Sequence, residues 1–506
     1  MQSFRVANRS RVQQPGDKWT VVCLALLLLA GTEFVIRGPV RALQTATGFN
    51  DFLSPYVQAD AFVHGLDPYS PQVLLRLWPG TASHFLFLPK EVANGSLVAN
   101  RGIPTAYPIT ALVLIAPFSL LPWNLAYALW FAMNLILFVI MLWALVELAG
   151  LSSDFYRPAT ILLVAGTLAL APFHTGIVTG NVTLVAVELS VIAIWAARQH
   201  YEIAAGLLLA VAAGLKPQIG LCFLFYYLLR RRWQICGIAA ALLACGAAFG
   251  LLRLELGHTP WLANYLSDNH ILLETGVLGN FTPINPTRFG LINLQVALYP
   301  ILGGVRVTND VAMAMGAVLF VVWIFSVARK ESGDDGELLD SSAIAVISLL
   351  PVYHRFYDAT MLVLPLCWTS ISFRRERKFA VISLLLMLPF VIPGGTLLET
   401  MEVGGRIPAG RAAGARHLRK SPRIADGGNA GGARADFARD LVVPRGGGLW
   451  FAGRHRVERR PCGRAGGASS DRGAFDPDHA LCRRRRVLLR TVEPIAARLA
   501  DAGRDH

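Results

Sequence analysis

Long apolar stretches broken by short polar runs occupy the chain from residue 19 to residue 393. A helix that crosses a bilayer needs about 20 mostly apolar residues. Runs of this kind read at 19–36, 107–121, 125–148, 159–173, 182–197, a split run 203–229, 233–252, 311–328, 343–352, 359–373 and 379–392. The split run breaks at Lys216-Pro217-Gln218. The first run follows Arg5, Arg9, Arg11 and Lys18 and lacks a small-x-small cleavage site, which reads as a retained signal anchor. Between the first two runs, Phe52, Tyr56, Ala59 and Val63 recur at helical spacing. That pattern predicts a helix lying along the membrane surface, with Asp51 at its N-terminal end.

Lys/Arg clusters mark the cytoplasmic side of a membrane protein. Here they fall at the N-terminus, at Arg198, at 230–232, at 329–330 and at 374–378. Working back from them puts two long loops outside, about 37–106 and 253–310, together with the break at Lys216 and the segment 353–358. Four runs separate the first outer loop from Arg198, where an odd number of crossings is required. One of them must be partial or re-entrant.

Composition agrees. Apolar residues make up 54% and charged residues 16%, against about 25% charged in soluble domains. Mean hydropathy is +0.48. Disorder is excluded for the bulk of the chain. Seven cysteines without a CxxC pair exclude a disulfide scaffold. The net charge of +14 divides unevenly: residues 401–506 hold 21 Arg, one Lys and 11 acidic residues, leaving the first 400 residues near balance. No dinucleotide fingerprint, P-loop, HExxH or GxSxG motif is present. The fold class expected is an all-α polytopic membrane protein, with an N-terminus at 1–18, a transmembrane domain at 19–393 and a basic tail at 401–506.

Candidate chemistry gathers at the outer breaks. Asp51 reads either as a helix N-cap or as a carboxylate general base beside the membrane. Lys216 reads as a snorkelling lysine or as a fixed cation for a phosphate that gains charge as a bond to it breaks. Tyr353-His354-Arg355-Phe356-Tyr357-Asp358 reads as a structural ion-pair cluster or as substrate contacts. Asp60, His64 and Asp67 have i, i+4, i+7 spacing, which fits metal ligation less well than the wet face of a surface helix. The polar residues of the second loop, His258, Asp268, His270, Glu274, Arg288 and Arg306, lack motif spacing and read as generic loop polarity.

Several motifs follow one another in a set order. They are Asp51-Phe52-x3-Tyr56, then Gly65-x-Asp67-Pro68-Tyr69, then Tyr107-Pro108 opening a run closed by Leu121-Pro122. Gly180-Asn181-x-Thr183-Leu184 comes next, followed by Gly206-Leu207-Leu208-Leu209-Ala210-x3-Gly214-Leu215-Lys216-Pro217-Gln218 and Arg230-Arg231-Arg232-Trp233. Together they resemble glycosyltransferase family 87, membrane enzymes of the C-type glycosyltransferase fold. The resemblance spans roughly 19–393. It implies a polyprenyl-phosphate-linked sugar, commonly mannose, as co-substrate, transfer on the outer face of the cell membrane, and an aspartate in the first loop as base, which maps onto Asp51. The family usually has Gln where Asn181 stands, and a His near His354.

On that basis Lys216 and Arg355 are expected at the donor phosphate, and His354, Asp358, Tyr56 and Gln218 at the sugar or acceptor. A single displacement would invert the anomeric centre. Neither a metal nor a cofactor is expected. The partners expected are membrane lipids, the lipid-linked sugar and a lipid or glycan acceptor, with no nucleic acid. Two other classes share the topology: a carrier or flippase for a lipid-linked solute, and a polysaccharide polymerase or ligase using a diphosphate donor. A transporter would show midplane breaks and similar halves, which this chain does not display. The tail has 17 Gly and 21 Arg but no periodicity and no spanning run. It reads as disordered, with the composition of out-of-frame translation of a GC-rich gene rather than of a lipid-binding arm.

Overall fold

The computed structural model describes residues 17–44, 51–79, 107–152, 157–273, 279–283, 285, 288–329, 334–373 and 375–391. All lie in the first of two compact units, Met1–Pro422; the second, Arg423–His506, lies outside the described residues. The expectations for residues 1–16, for much of the first loop after Pro79 and for the tail therefore fall outside them too.

The protein is an all-α polytopic membrane protein. Helix α1 (Asp17–Val35) runs through a π-helical turn (Ile36–Val40) into α2 (Arg41–Gln44). Next come α3 (Leu53–Val63), α4 (Pro71–Leu77), α5 (Ile109–Ser119), α6 (Trp123–Leu148), α7 (Pro158–Ala169), α8 (Ala171–Thr179) and α9 (Val182–Arg198). The chain continues through α10 (Glu202–Leu215), α11 (Pro217–Leu229), α12 (Trp233–Leu256), α13 (Trp261–Leu273), α14 (Leu294–Leu302), α15 (Val305–Arg329) and α16 (Asp334–Leu349). A 3-10 segment (Phe356–Leu362) leads into α17 (Val363–Ser372), and α18 (Arg377–Val391) closes the described part. Among the described residues the sole β feature is an isolated bridge between Leu291 and Arg355.

Proline sets several of these starts. It opens α4, α7, α8 and α11 in the first turn, where its missing N–H would have had no partner anyway. Pro172 also explains why the run expected at 159–173 is bent: α7 and α8 meet at 49° and the helix continues to Thr179. Before Pro217, Lys216 is forced extended (φ −146°, ψ 90°), so the split run breaks where the sequence indicated.

Contacts at the helix ends fix their directions. Trp130 Nε1 donates to Gly180 O and Arg198 Nη1 to Leu148 O, both pairs 50 residues apart, so α6 and α9 run parallel. At that second end lie the Arg232–Glu202 pair, the Arg232 bond to Ala197 O, and the Arg230 bond to Val327 O. The basic residues Arg198, Arg230 and Arg232 thus collect at one end of the bundle, with the end of α15 beside them. Thr179, Lys216 and Asp358 collect at the other, with Asp51 held against Thr179.

The odd-crossing problem is resolved by α5. Thr110 near its start bonds Gly214 O, and Leu121 just past its end accepts from Tyr56, so both of its ends stay on the Asp51 side. Eleven residues cover only about 16 Å. Helix α5 is therefore the partial one, while α6, the α7–α8 pair and α9 make the three traverses.

Helix α9 is the hub: all its residues but Trp195 and Arg198 are buried. Helices α1, α12 and α15 are peripheral, with apolar side chains such as Leu28 and Val318 outward, as lipid-facing helices require. The short helices α10 and α11 reach only about 20 Å, less than the ~30 Å hydrocarbon core. Leu243 of α12 stands beside Gly214, and α12 then continues to Leu256, about 20 Å further along its axis. Lys216 is thus recessed well below the tip of α12. At that tip Arg253 donates to Val63 O. The helix expected at 52–63 forms as α3, but it is buried on nearly every side rather than half-wet, because aromatic rings of the α5–α6 region close over it.

Candidate active site

The position of Asp51 follows from a clamp between two chain segments. Phe52 stacks on Trp130 with centroids 4.2 Å apart, and the Trp130 indole holds Gly180 O at 2.8 Å. Asp51 N–H donates to Thr179 O, and Asn181 Nδ2 donates to Asp51 Oδ2 at 2.9 Å. Gly180 makes the corner between α8 and α9 at φ +63°, a backbone region that favours glycine. The N-cap of α3 is Phe52, not Asp51, and no side-chain cap is formed there. Asp51 reaches across to α9 instead of capping its own helix.

Asp51 keeps part of its surface accessible yet lies deep among protein atoms. Burial pushes its carboxyl above the usual range; the Asn181 hydrogen bond and the charges of Arg355 and Lys216 pull the other way without winning. The phenols of Tyr107, Tyr353 and Tyr357 share this region and are pushed up by burial, with the Asp51 charge adding to it, so they stay neutral.

Asp358 is different. Lys216 Nζ and Thr183 Oγ1 donate to its Oδ1, and His354 Nδ1 and the Arg355 N–H contact its Oδ2. The residue is 1% exposed. Burial alone would raise its carboxyl, but the Lys216 charge and the His354 contact hold it well below the usual carboxylate range. Its acceptor positions are filled by protein donors, which does not fit the expected sugar contact. Tyr56 does not fit either: its hydroxyl is spent on Leu121 O and its ring packs edge-on against Trp123.

The other expected residues stand as follows. Lys216 bridges Asp358 and Thr183 and lies 5.2 Å from the Tyr357 ring centroid. Arg355 Nε donates to Tyr353 OH. His354 is fully buried, and its Nε2 has no hydrogen-bond partner. With Nδ1 turned to the Asp358 carboxylate, Nε2 is the ring nitrogen left to meet another group. Gln218 is half-buried in the first turn of α11, two residues past Lys216. Asp60 pairs with His64 at 3.1 Å, whereas Asp67 is buried and binds Tyr69 N and Asn264. These three do not form a ligand set, and no metal-binding group occurs among the described residues.

Three sets of contacts could not be read from the motifs. Thr183 and Asn181, two residues apart, connect the Lys216–Asp358 pair and Asp51 to one helix start. Tyr357 supplies an aromatic face to Lys216. Part of the second loop, read as generic polarity, is pinned to the site: Leu291 bridges Arg355 and Ile292 N–H donates to His354 O. Capping preference for Asn at 181 was a usable signal; the loop contact had none.

A family model described as "Glycosyltransferase family 87" matches residues 105–352. No curated protein and no solved structure matches the chain.

Proposed function

The chain belongs to glycosyltransferase family 87 and is a membrane glycosyltransferase; on that premise we propose that it moves a sugar, mannose in the first instance, from a polyprenyl-phosphate donor to an acceptor hydroxyl on the outer face of the cell membrane. The observation that carries this is Asp51 itself. It is a deep but still partly accessible carboxylate, held by an amide, with two cations close enough for their charges to act on it.

In the mechanism, Asp51 takes the proton of the acceptor hydroxyl as its oxygen attacks the anomeric carbon. The bond from that carbon to the phosphate oxygen breaks, and the electron pair leaves with the polyprenyl phosphate. Lys216 and Arg355 meet the added negative charge, stabilising the transition state more than the ground state. One displacement inverts the anomeric centre. His354 Nε2 accepts a hydrogen bond from a sugar or acceptor hydroxyl, and Gln218 contacts the donor sugar. Asp358 holds Lys216 and His354 in place instead of touching substrate. The recess beneath α12 suits a phosphate drawn below the headgroup level by its lipid tail.

Purified protein in nanodiscs, incubated with polyprenyl-phosphate [14C]mannose and a lipid-and-glycan acceptor extract, tests the donor. Label transfer that disappears in Asp51→Asn is expected; transfer from a diphosphate-linked donor alone would overturn the reading. For the orientation, a single cysteine at 260 in a cysteine-free background should react with an impermeant maleimide on intact cells and one at 231 should not. The reverse pattern would place the site on the cytoplasmic face.

A further inference from the structure

The contact between Asn181 and Asp51 is fixed at both ends of the amide. Thr183 N–H donates to Asn181 Oδ1 at 2.9 Å, which is the N-cap bond of α9. Asn181 Nδ2 donates to Asp51 Oδ2 at 2.9 Å. Rotating the amide by half a turn would set an oxygen against the carboxylate and an NH2 group against a backbone N–H, losing both bonds. The amide is 2% exposed, so water cannot replace either. One side chain therefore closes the first turn of the central helix and grips the candidate base.

We propose that Asn181 is a positioning residue for the reaction: it fixes the rotation of the Asp51 carboxylate and stabilises its ionised, proton-accepting form. This rests on the reading of Asp51 as base.

The charged groups that act on Asp51 are Arg355 and Lys216, and the neutral phenols of Tyr107, Tyr353 and Tyr357 share its surroundings. None of them lies on α9, so a change at 181 alters the Asp51 environment without removing any of them. The Asn181 bond is the strongest influence lowering the Asp51 carboxyl against burial. Its loss must raise the midpoint further, and a base that works ionised then needs a higher pH.

Two variants separate positioning from capping. Asn181→Ser keeps a good capping oxygen and loses the amide NH2 that reaches Asp51. Asn181→Asp keeps the capping oxygen and sets a second carboxylate against the first. Both are reconstituted in nanodiscs and titrated by difference infrared spectroscopy, with the protonated-carboxyl band that vanishes in Asp51→Asn assigned to Asp51. The acid limb of the transfer profile is measured in parallel. The midpoint should rise by about one pH unit in Asn181→Ser, as expected for losing a hydrogen bond to a charged group, and by more in Asn181→Asp. A purely structural cap predicts a wild-type midpoint in Asn181→Ser, and that result would overturn the proposal; the rise in Asn181→Asp checks that the two side chains face each other. If Asp51→Asn still transfers sugar at the wild-type rate, the base reading fails while the infrared shift still decides the contact. If Asp51→Asn is inactive but the midpoints do not move, the positioning role alone falls.

Discussion

Two aspartates of the same site answer burial in opposite ways. Asp358 is surrounded by four donors, one of them the Lys216 ammonium, and is held well below the usual carboxylate range. Asp51 has the Asn181 amide at Oδ2, a weaker side-chain hydrogen bond from Thr179 and cations acting from farther off, and burial keeps it above that range. Both are joined to the start of α9, Asp51 through Asn181 and Asp358 through Thr183. The difference teaches that depth does not assign a role. A carboxylate whose acceptor positions are filled cannot take a proton without breaking an ion pair. One that is desolvated and sparsely held is poised to take it.

The sharpest test is to remove each charge in turn. Asp51→Asn should cut transfer by roughly 10²–10⁴-fold, the range for a general base, while thermal unfolding in nanodiscs stays near wild type. A small effect on transfer would erase the distinction between the two aspartates.

Asp358→Ala should do the reverse in kind. It leaves Lys216, whose side chain is 12% exposed, without its carboxylate, at a cost of about 3–5 kcal/mol. Chemical or thermal unfolding checks it, and unchanged stability would show that Asp358 is not the anchor. Replacing both partners by apolar residues should recover much of that loss, with activity still absent.

Acid titration of stability should also separate them. Asp358, lowered in the folded state, stabilises above the unfolded carboxylate value of about 3.9, and that contribution is lost as pH falls toward its folded value. Asp51, raised in the folded state, contributes fully below about pH 3.9, and its contribution fades as pH rises through its folded value. Asp358→Asn should therefore flatten the acid loss of stability, and Asp51→Asn should not.

The smallest expected effect is at the joint. Thr183→Val removes a donor to Asp358 and an acceptor for Lys216, worth about 1–2 kcal/mol. Transfer should fall less than tenfold, since Lys216 keeps its carboxylate.

Much of the fold was legible in local pattern. The apolar runs, the break before Pro217 and the basic clusters depend on neighbours in sequence, so hydropathy, proline geometry and charge report them directly. Asp51, Lys216, His354 and Arg355 stood out because charges near apolar runs are costly and rarely idle. The partial helix was countable as a need for an odd number of crossings but not locatable, because α5 is as apolar as a true span.

What the tertiary structure decided is who holds whom. Asp51 and Asn181 are 130 residues apart, Lys216 and Asp358 142, Thr183 and Asp358 175. No periodicity of 2 or 3.6 residues encodes such pairs; they exist because α9 packs at the centre and offers its first turn to three other segments. The same packing buried Tyr56, expected at the substrate, and filled the acceptor positions of Asp358. From sequence alone, Asp51 reads as a helix cap or a base and Asp358 as an ion-pair partner or a substrate contact. Only the count of donors around each tells them apart, and that count is set by distances across the fold.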